Sequence, residues 1–139
     1  MIARDPLARR PVLAVDDDPS ILGLISEALS GEGYRVASAS NGRDALELLE
    51  QDPPCVVLLD MRMPTLDGWG FARAMRERGI RVPVVVVTAA DNASTWAREI
   101  GADAYLAKPF QLADLLAVVA RFCAGRGGGP DPSARAFAA

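Results

Sequence analysis

Two rhythms of hydrophobic and polar positions alternate along this chain. Five short runs, Val12–Val15, Arg35–Ala39, Cys55–Leu59, Val82–Val87 and Ala104–Ala107, read as β-strands. The first, third and fourth are continuous Val/Leu-rich stretches, as expected for strands covered on both faces. The second is more polar and suits a sheet edge. Between the strands lie segments whose apolar residues recur at helical spacing. Asp18-Pro19 reads as an N-cap followed by Pro at the first helical position, and Ile21, Leu22, Ile25, Ala28 and Leu29 carry that helix to Gly31 and Gly33. Asn41-Gly42 opens a second helix through Ala45, Leu46 and Leu49, which ends before Pro53-Pro54. A third spans Asp67 to Arg78 with Phe71, Ala72 and Met75 inward, and Gly79 closes it. A shorter fourth covers Ala93–Ile100 and ends at Gly101. The fifth sets Leu112, Leu115, Leu116, Val119 and Phe122 on one face.

Strands alternating with helices predict an α/β fold: a flavodoxin-like (βα)5 unit with a doubly wound, parallel, five-stranded sheet in the order 2-1-3-4-5. The domain occupies 11–124. An N-terminal extension over 1–10 precedes it, and a flexible Gly/Pro/Ala-rich tail over 125–139 follows.

Composition narrows the function. Half of the 139 residues are hydrophobic and 24% are charged, enough for a buried core. A formal charge of −3 and a pI near 4.9 argue against a nucleic-acid binder. No apolar run approaches the roughly 20 residues that cross a bilayer, and no apolar segment backs the charged start. Cys55 and Cys123 are too few for a disulfide framework; they read as core residues in a reducing cytoplasm. Of 15 basic residues only Lys108 is lysine. Coding bias accounts for the arginines and leaves the exception of interest, because lysine is a compact point charge and arginine a planar fork.

The carboxyl ends of the strands carry the chemistry. Leaving them in turn, the chain meets Asp16-Asp17-Asp18, Asp60, Thr88 and Lys108-Pro109. In an open α/β sheet these ends share one edge, and ligands bind there at the switch point between strands one and three. Carboxylates about 4 Å apart repel by roughly 4 kcal/mol per pair at an effective dielectric near 20, so a cation or a raised pKa is needed. With no His anywhere, a zinc site of His ligands and a Ser-His-Asp triad are excluded. An all-oxygen cluster suits a hard divalent ion, Mg²⁺ above all. Carboxylates, Mg²⁺, a lysine and a threonine form a phosphoryl-handling set with an Asp nucleophile. Asp18 reads as a helix cap. Trp69 and Trp96 read as partly exposed helix residues.

The segments Val15-Asp16-Asp17-Asp18-Pro19, Leu58 to Gly68 (LLDMRMPTLDG), Val87-Thr88-Ala89-Ala90 and Gly101 to Phe110 (GADAYLAKPF) resemble the receiver domain of bacterial response regulators in two-component signalling. The resemblance covers Pro11 to Cys123. It implies that Asp60 accepts a phosphoryl group from a sensor histidine kinase or a histidine phosphotransfer protein. It also implies Mg²⁺ held by Asp16, Asp17, Asp60 and the backbone carbonyl of Arg62, with Lys108 on the phosphoryl oxygens and a cis peptide before Pro109. Thr88 and Tyr105 would then switch the face formed by the fourth helix, fifth strand and fifth helix. That face would bind a downstream protein or support a phosphorylation-dependent homodimer. A bulky Arg62, two residues after the acceptor, implies slow dephosphorylation. No enzymatic turnover is expected beyond self-phosphorylation and autodephosphorylation at Asp60.

Two other functions share parts of this pattern. A haloacid-dehalogenase-like phosphatase would want an Asp at position 62, where Arg stands, and a cap domain. A phosphorylation-independent scaffold would have no need of every key side chain. The initial Met and the short tail favour a stand-alone cytoplasmic regulator over the front of a longer protein.

Overall fold

A computed structural model describes residues 10–123. All of the 1–10 extension except Arg10, and the whole 125–139 tail, lie outside the described residues. The elements are β1 (Val12–Val15), α1 (Pro19–Gly31), β2 (Val36–Ala39), α2 (Gly42–Gln51), β3 (Val56–Leu59), α3 (Gly68–Glu77), β4 (Val84–Ala89), α4 (Ala90–Ile100), β5 (Ala104–Lys108) and α5 (Leu112–Phe122). All strand pairs are parallel, in the order β2-β1-β3-β4-β5, so the expected topology holds.

Strand alternation splits the core into two layers. Val12 and Ala14 of β1, Val56 and Leu58 of β3, and Val85 and Val87 of β4 pack against Ile25 and Leu29 of α1 and Leu115, Val118 and Val119 of α5. Leu13, Val15, Val57, Leu59, Val84 and Val86 face Ala45, Leu46 and Leu49 of α2, Phe71 and Met75 of α3, and Ala97 of α4. Helices thus cover both sheet faces, which is why β1, β3 and most of β4 are apolar at every position. β2 is the half-buried edge that its mixed sequence predicts.

Helix caps account for most boundaries. Asp18 accepts from the Ser20 N–H, Asn41 from Asp44 and Asp67 from Gly70. Two boundaries differ from the sequence expectation. β4 begins at Val84 rather than Val82, because Pro83 has no N–H to enter the ladder, and it runs on to Ala89 paired with Lys108. α4 begins at Ala90, three residues early; Ala89 at its N-cap makes no side-chain hydrogen bond, so no local signal marks the start.

The cysteines need a larger correction. Cys55 precedes β3, Cys123 follows α5, and the two form a disulfide with a Cα–Cα distance of 5.4 Å. They are core residues, as expected, but not free thiols. In a parallel βα fold a helix ends near the amino edge of the sheet, and that return brings together residues 68 apart in sequence.

Candidate functional site

At the opposite, carboxyl edge, β1 and β3 are neighbours, paired through Val15 and Leu59. The residues that follow, Asp16 and Asp60, therefore emerge side by side. Both are almost fully buried, at 2% and 6% exposure, while Asp17 is exposed. One carboxylate oxygen from each of Asp16, Asp17 and Asp60 lies within 4.8 Å of the others. Lys108, at the end of β5, reaches back over this group. Its Nζ donates to Asp16 Oδ2 at 2.7 Å and lies 3.5 Å from Asp60 Oδ2.

Backbone N–H groups fix the two buried acids. Asp16 Oδ1 accepts from the Asp18 N–H at 2.9 Å, and Asp60 Oδ1 accepts from the Met61 N–H at 2.8 Å. Each carboxylate thus keeps its second oxygen turned toward Lys108. Burial raises the Asp60 pKa above the usual carboxylate value, and the Asp16 charge adds to the rise. Lys108 and the Met61 N–H oppose it. Burial alone would lower the Lys108 pKa, but the Asp16 hydrogen bond and the two carboxylate charges outweigh it and hold the ammonium above its ordinary value.

The loop after Asp60 is tightly built. Gly68 donates its N–H to Met61 O at 2.9 Å, and a Cβ on Gly68 would stand 2.8 Å from Met61 Cα. Only glycine allows α3 to begin so close to the acceptor strand. Within the loop Thr65 has φ of 70°, and the Leu66 N–H donates to Pro64 O at 2.7 Å, a γ-turn.

Thr88 is buried at 4% exposure near the end of β4, beside Ala107 of β5. Tyr105, half-buried on β5 opposite Val86, packs on the sheet face shared with α4. Alternation puts Thr88 and Tyr105 on that same face. The Lys108–Pro109 peptide is cis. Asp18 caps α1, as expected.

Arg62 is less expected. Its guanidinium lies 5.3 Å from the centroid of the Trp96 ring, and among the described residues it forms no ion pair with the nearby acids. Trp96 in turn meets Trp69 edge to face, with centroids 4.9 Å apart. The Trp69 Nε1–H donates to Glu99 Oε1 at 2.9 Å. The sequence treats the two tryptophans as unrelated; α3–α4 packing makes them one cluster. The available signal was that Trp69 opens α3 and Trp96 lies on the following helix.

As a metal centre this group has the right chemistry. Three carboxylates against one ammonium leave a formal excess of two negative charges, and every donor in the cluster is oxygen. That set fits a hard divalent cation such as Mg²⁺.

Comparison with known proteins decides the lineage. Residues 12–120 match the family model of the response regulator receiver domain. The chain belongs to that family. As a receiver domain it is 44% identical over 108 residues to response regulator MprA of Mycolicibacterium vanbaalenii, and 43% identical to that of Mycobacterium leprae. The match takes 76% of this chain but 47% of each relative, so the chain spans about half the length of these curated relatives. The Francisella response regulator 1452 receiver domain aligns with a TM-score of 0.76 at 30% identity, over 82% of this chain and 96% of that one. The receiver domain of sensor histidine kinase PA1611 from Pseudomonas aeruginosa PAO1, solved with a magnesium ion coordinated in its active site cleft, aligns with a TM-score of 0.72 at 36% identity. That alignment covers 82% of this receiver and 97% of the other. Among the described residues no helix is long and apolar enough to cross a membrane.

Proposed function

We propose that this receiver domain is a phosphorylation switch. Asp60 takes a phosphoryl group from the phosphohistidine of a sensor histidine kinase or a histidine phosphotransfer protein. The observation that carries this reading is the placement of Asp60: a buried carboxylate with one oxygen held by a backbone N–H and the other facing both a second acid and a lone ammonium.

The free Asp60 oxygen attacks phosphorus as the N–P bond breaks, and the imidazole nitrogen keeps the electron pair. Lys108 favours the ionised form of Asp60 that this attack requires, and its ammonium can follow the transferred oxygens. Asp16, Asp17, Asp60 and the backbone carbonyl of Arg62 are the ligands proposed for Mg²⁺, which when bound supplies positive charge for the phosphoryl oxygens. Thr88 would donate its hydroxyl to the new phosphoryl group. Tyr105, on the same sheet face, would follow into the space behind it. Phosphorylation adds charge and three acceptor oxygens, enough to draw a hydroxyl and a loop inward. The surface of α4, β5 and α5 would then change its affinity for a downstream protein or for a second copy of the domain.

Incubation with acetyl phosphate and Mg²⁺ tests the reading by intact mass. One added phosphoryl group is expected, and none in Asp60→Asn or when Mg²⁺ is chelated. Unchanged mass in the wild type, or labelling that persists in Asp60→Asn, would overturn it.

A further inference from the structure

An arginine two residues from three clustered carboxylates would ordinarily pair with them. Guanidinium and carboxylate match as a bidentate fork, and the acidic cluster keeps an excess negative charge after Lys108 is counted. Arg62 is exposed and on the loop that leaves Asp60, yet its guanidinium sits over the Trp96 ring instead. The ring is itself braced. Trp96 is half-buried on α4, Trp69 of α3 meets it edge to face at 4.9 Å, and Glu99 holds the Trp69 indole N–H at 2.9 Å. A cation over a fixed indole face is attracted by the ring quadrupole, and an exposed stack of this kind is comparable in strength to a solvent-exposed ion pair.

We propose that Trp96 is a positioning residue that parks the Arg62 guanidinium off the acidic cluster, so that an incoming divalent cation competes with Lys108 alone rather than with two internal cations. The proposal rests on the Mg²⁺ reading above. It gives the Trp69–Trp96–Glu99 cluster a role that packing alone does not require: the brace lies outside the carboxylate group and acts on it only through one side chain.

Calorimetric titration of the full chain with Mg²⁺ tests this without any phosphodonor. Trp96→Ala should weaken Mg²⁺ binding about 3- to 10-fold, because the released guanidinium occupies the carboxylates, and Trp96→Phe, which keeps a π face, should recover most of that loss. Arg62→Ala should bind Mg²⁺ up to about twofold more tightly than the wild type. In the Arg62→Ala background, Trp96→Ala should then have no further effect. Arg62→Lys carries the test should Trp96→Ala fail to fold: it keeps the charge but loses the planar stack, and should bind Mg²⁺ more weakly than Arg62→Ala by at least threefold. Equal weakening by Trp96→Ala with and without Arg62, or an affinity unmoved by Trp96→Ala and Arg62→Lys, would overturn the proposal while leaving the metal reading intact. A wild type that binds no Mg²⁺ overturns both.

Discussion

Lys108 is bound more closely by Asp16, at 2.7 Å, than by Asp60, at 3.5 Å, although Asp60 is the acid proposed to react. The two partners lie 92 residues apart in sequence, at the ends of β1 and β5. Asp16 therefore works in two directions. It anchors the ammonium, and its own charge helps keep the Asp60 pKa raised.

Removing the ammonium should expose that balance. Lys108→Ala leaves two buried carboxylates without their cation and should cost about 1 to 3 kcal/mol of stability at neutral pH. The folded Lys108 pKa lies above 10.5, so its contribution is complete below that pH and is lost as pH rises through the folded value. Urea unfolding should accordingly show a gap between wild type and variant at pH 7 that narrows in strong alkali. A constant gap would point to packing of the lysine stem instead.

Asp60 has the opposite effect on stability at neutral pH. Its folded pKa is raised above 3.8, so the folded chain holds the proton more tightly than the unfolded chain. Stability from this group is full below 3.8 and is lost as pH rises through the folded value. Asp60→Asn should thus be more stable than the wild type at pH 7, by about 1 kcal/mol, the usual size for relieving a functional site. Thermal unfolding across the acid range should show the advantage shrinking as pH falls.

Metal should stabilise the folded chain by mass action. Mg²⁺ at 100 times its dissociation constant should add about 2.7 kcal/mol, reversed by EDTA. Asp17→Asn removes one carboxylate without touching the Asp16–Lys108 pair, and should shrink the shift in melting temperature.

Gly68→Ala should deform the loop beside the acceptor. The added methyl would meet Met61 Cα at 2.8 Å and Asp60 O at 3.0 Å, both backbone atoms that cannot swing away. A loss of about 1 to 3 kcal/mol in chemical denaturation is expected, together with slower phosphorylation.

The disulfide lies at the other end of the sheet and should act on stability alone. It closes a loop of 68 residues, for which chain entropy suggests about 4 kcal/mol. Dithiothreitol should lower the melting temperature of the wild type and leave Cys55→Ser unaffected.

Much of the fold was legible in the sequence because its signals are local. Continuous Val/Leu runs need only their neighbours to be recognised as buried strands, and Asp18, Asn41 and Asp67 announce helices through bonds to residues two or three ahead. The start of α4 was illegible for the same reason: Ala89 offers no cap. The strand order followed from chirality and the count of βα units, and it is that order which makes Asp16 and Asp60 neighbours.

The sequence by itself determined the alternation of strands and helices, the chain positions of the polar residues at the strand ends, and the absence of histidine chemistry. Only the tertiary structure decided which side chains meet: Lys108 with Asp16, Arg62 with Trp96 rather than with the acids, Cys55 with Cys123. Periodicity is written within a few residues, by backbone sterics and the need to bury one face. A partner tens of residues away is chosen by helix packing, sheet twist and the rotamers that these leave open, and no local pattern records that choice.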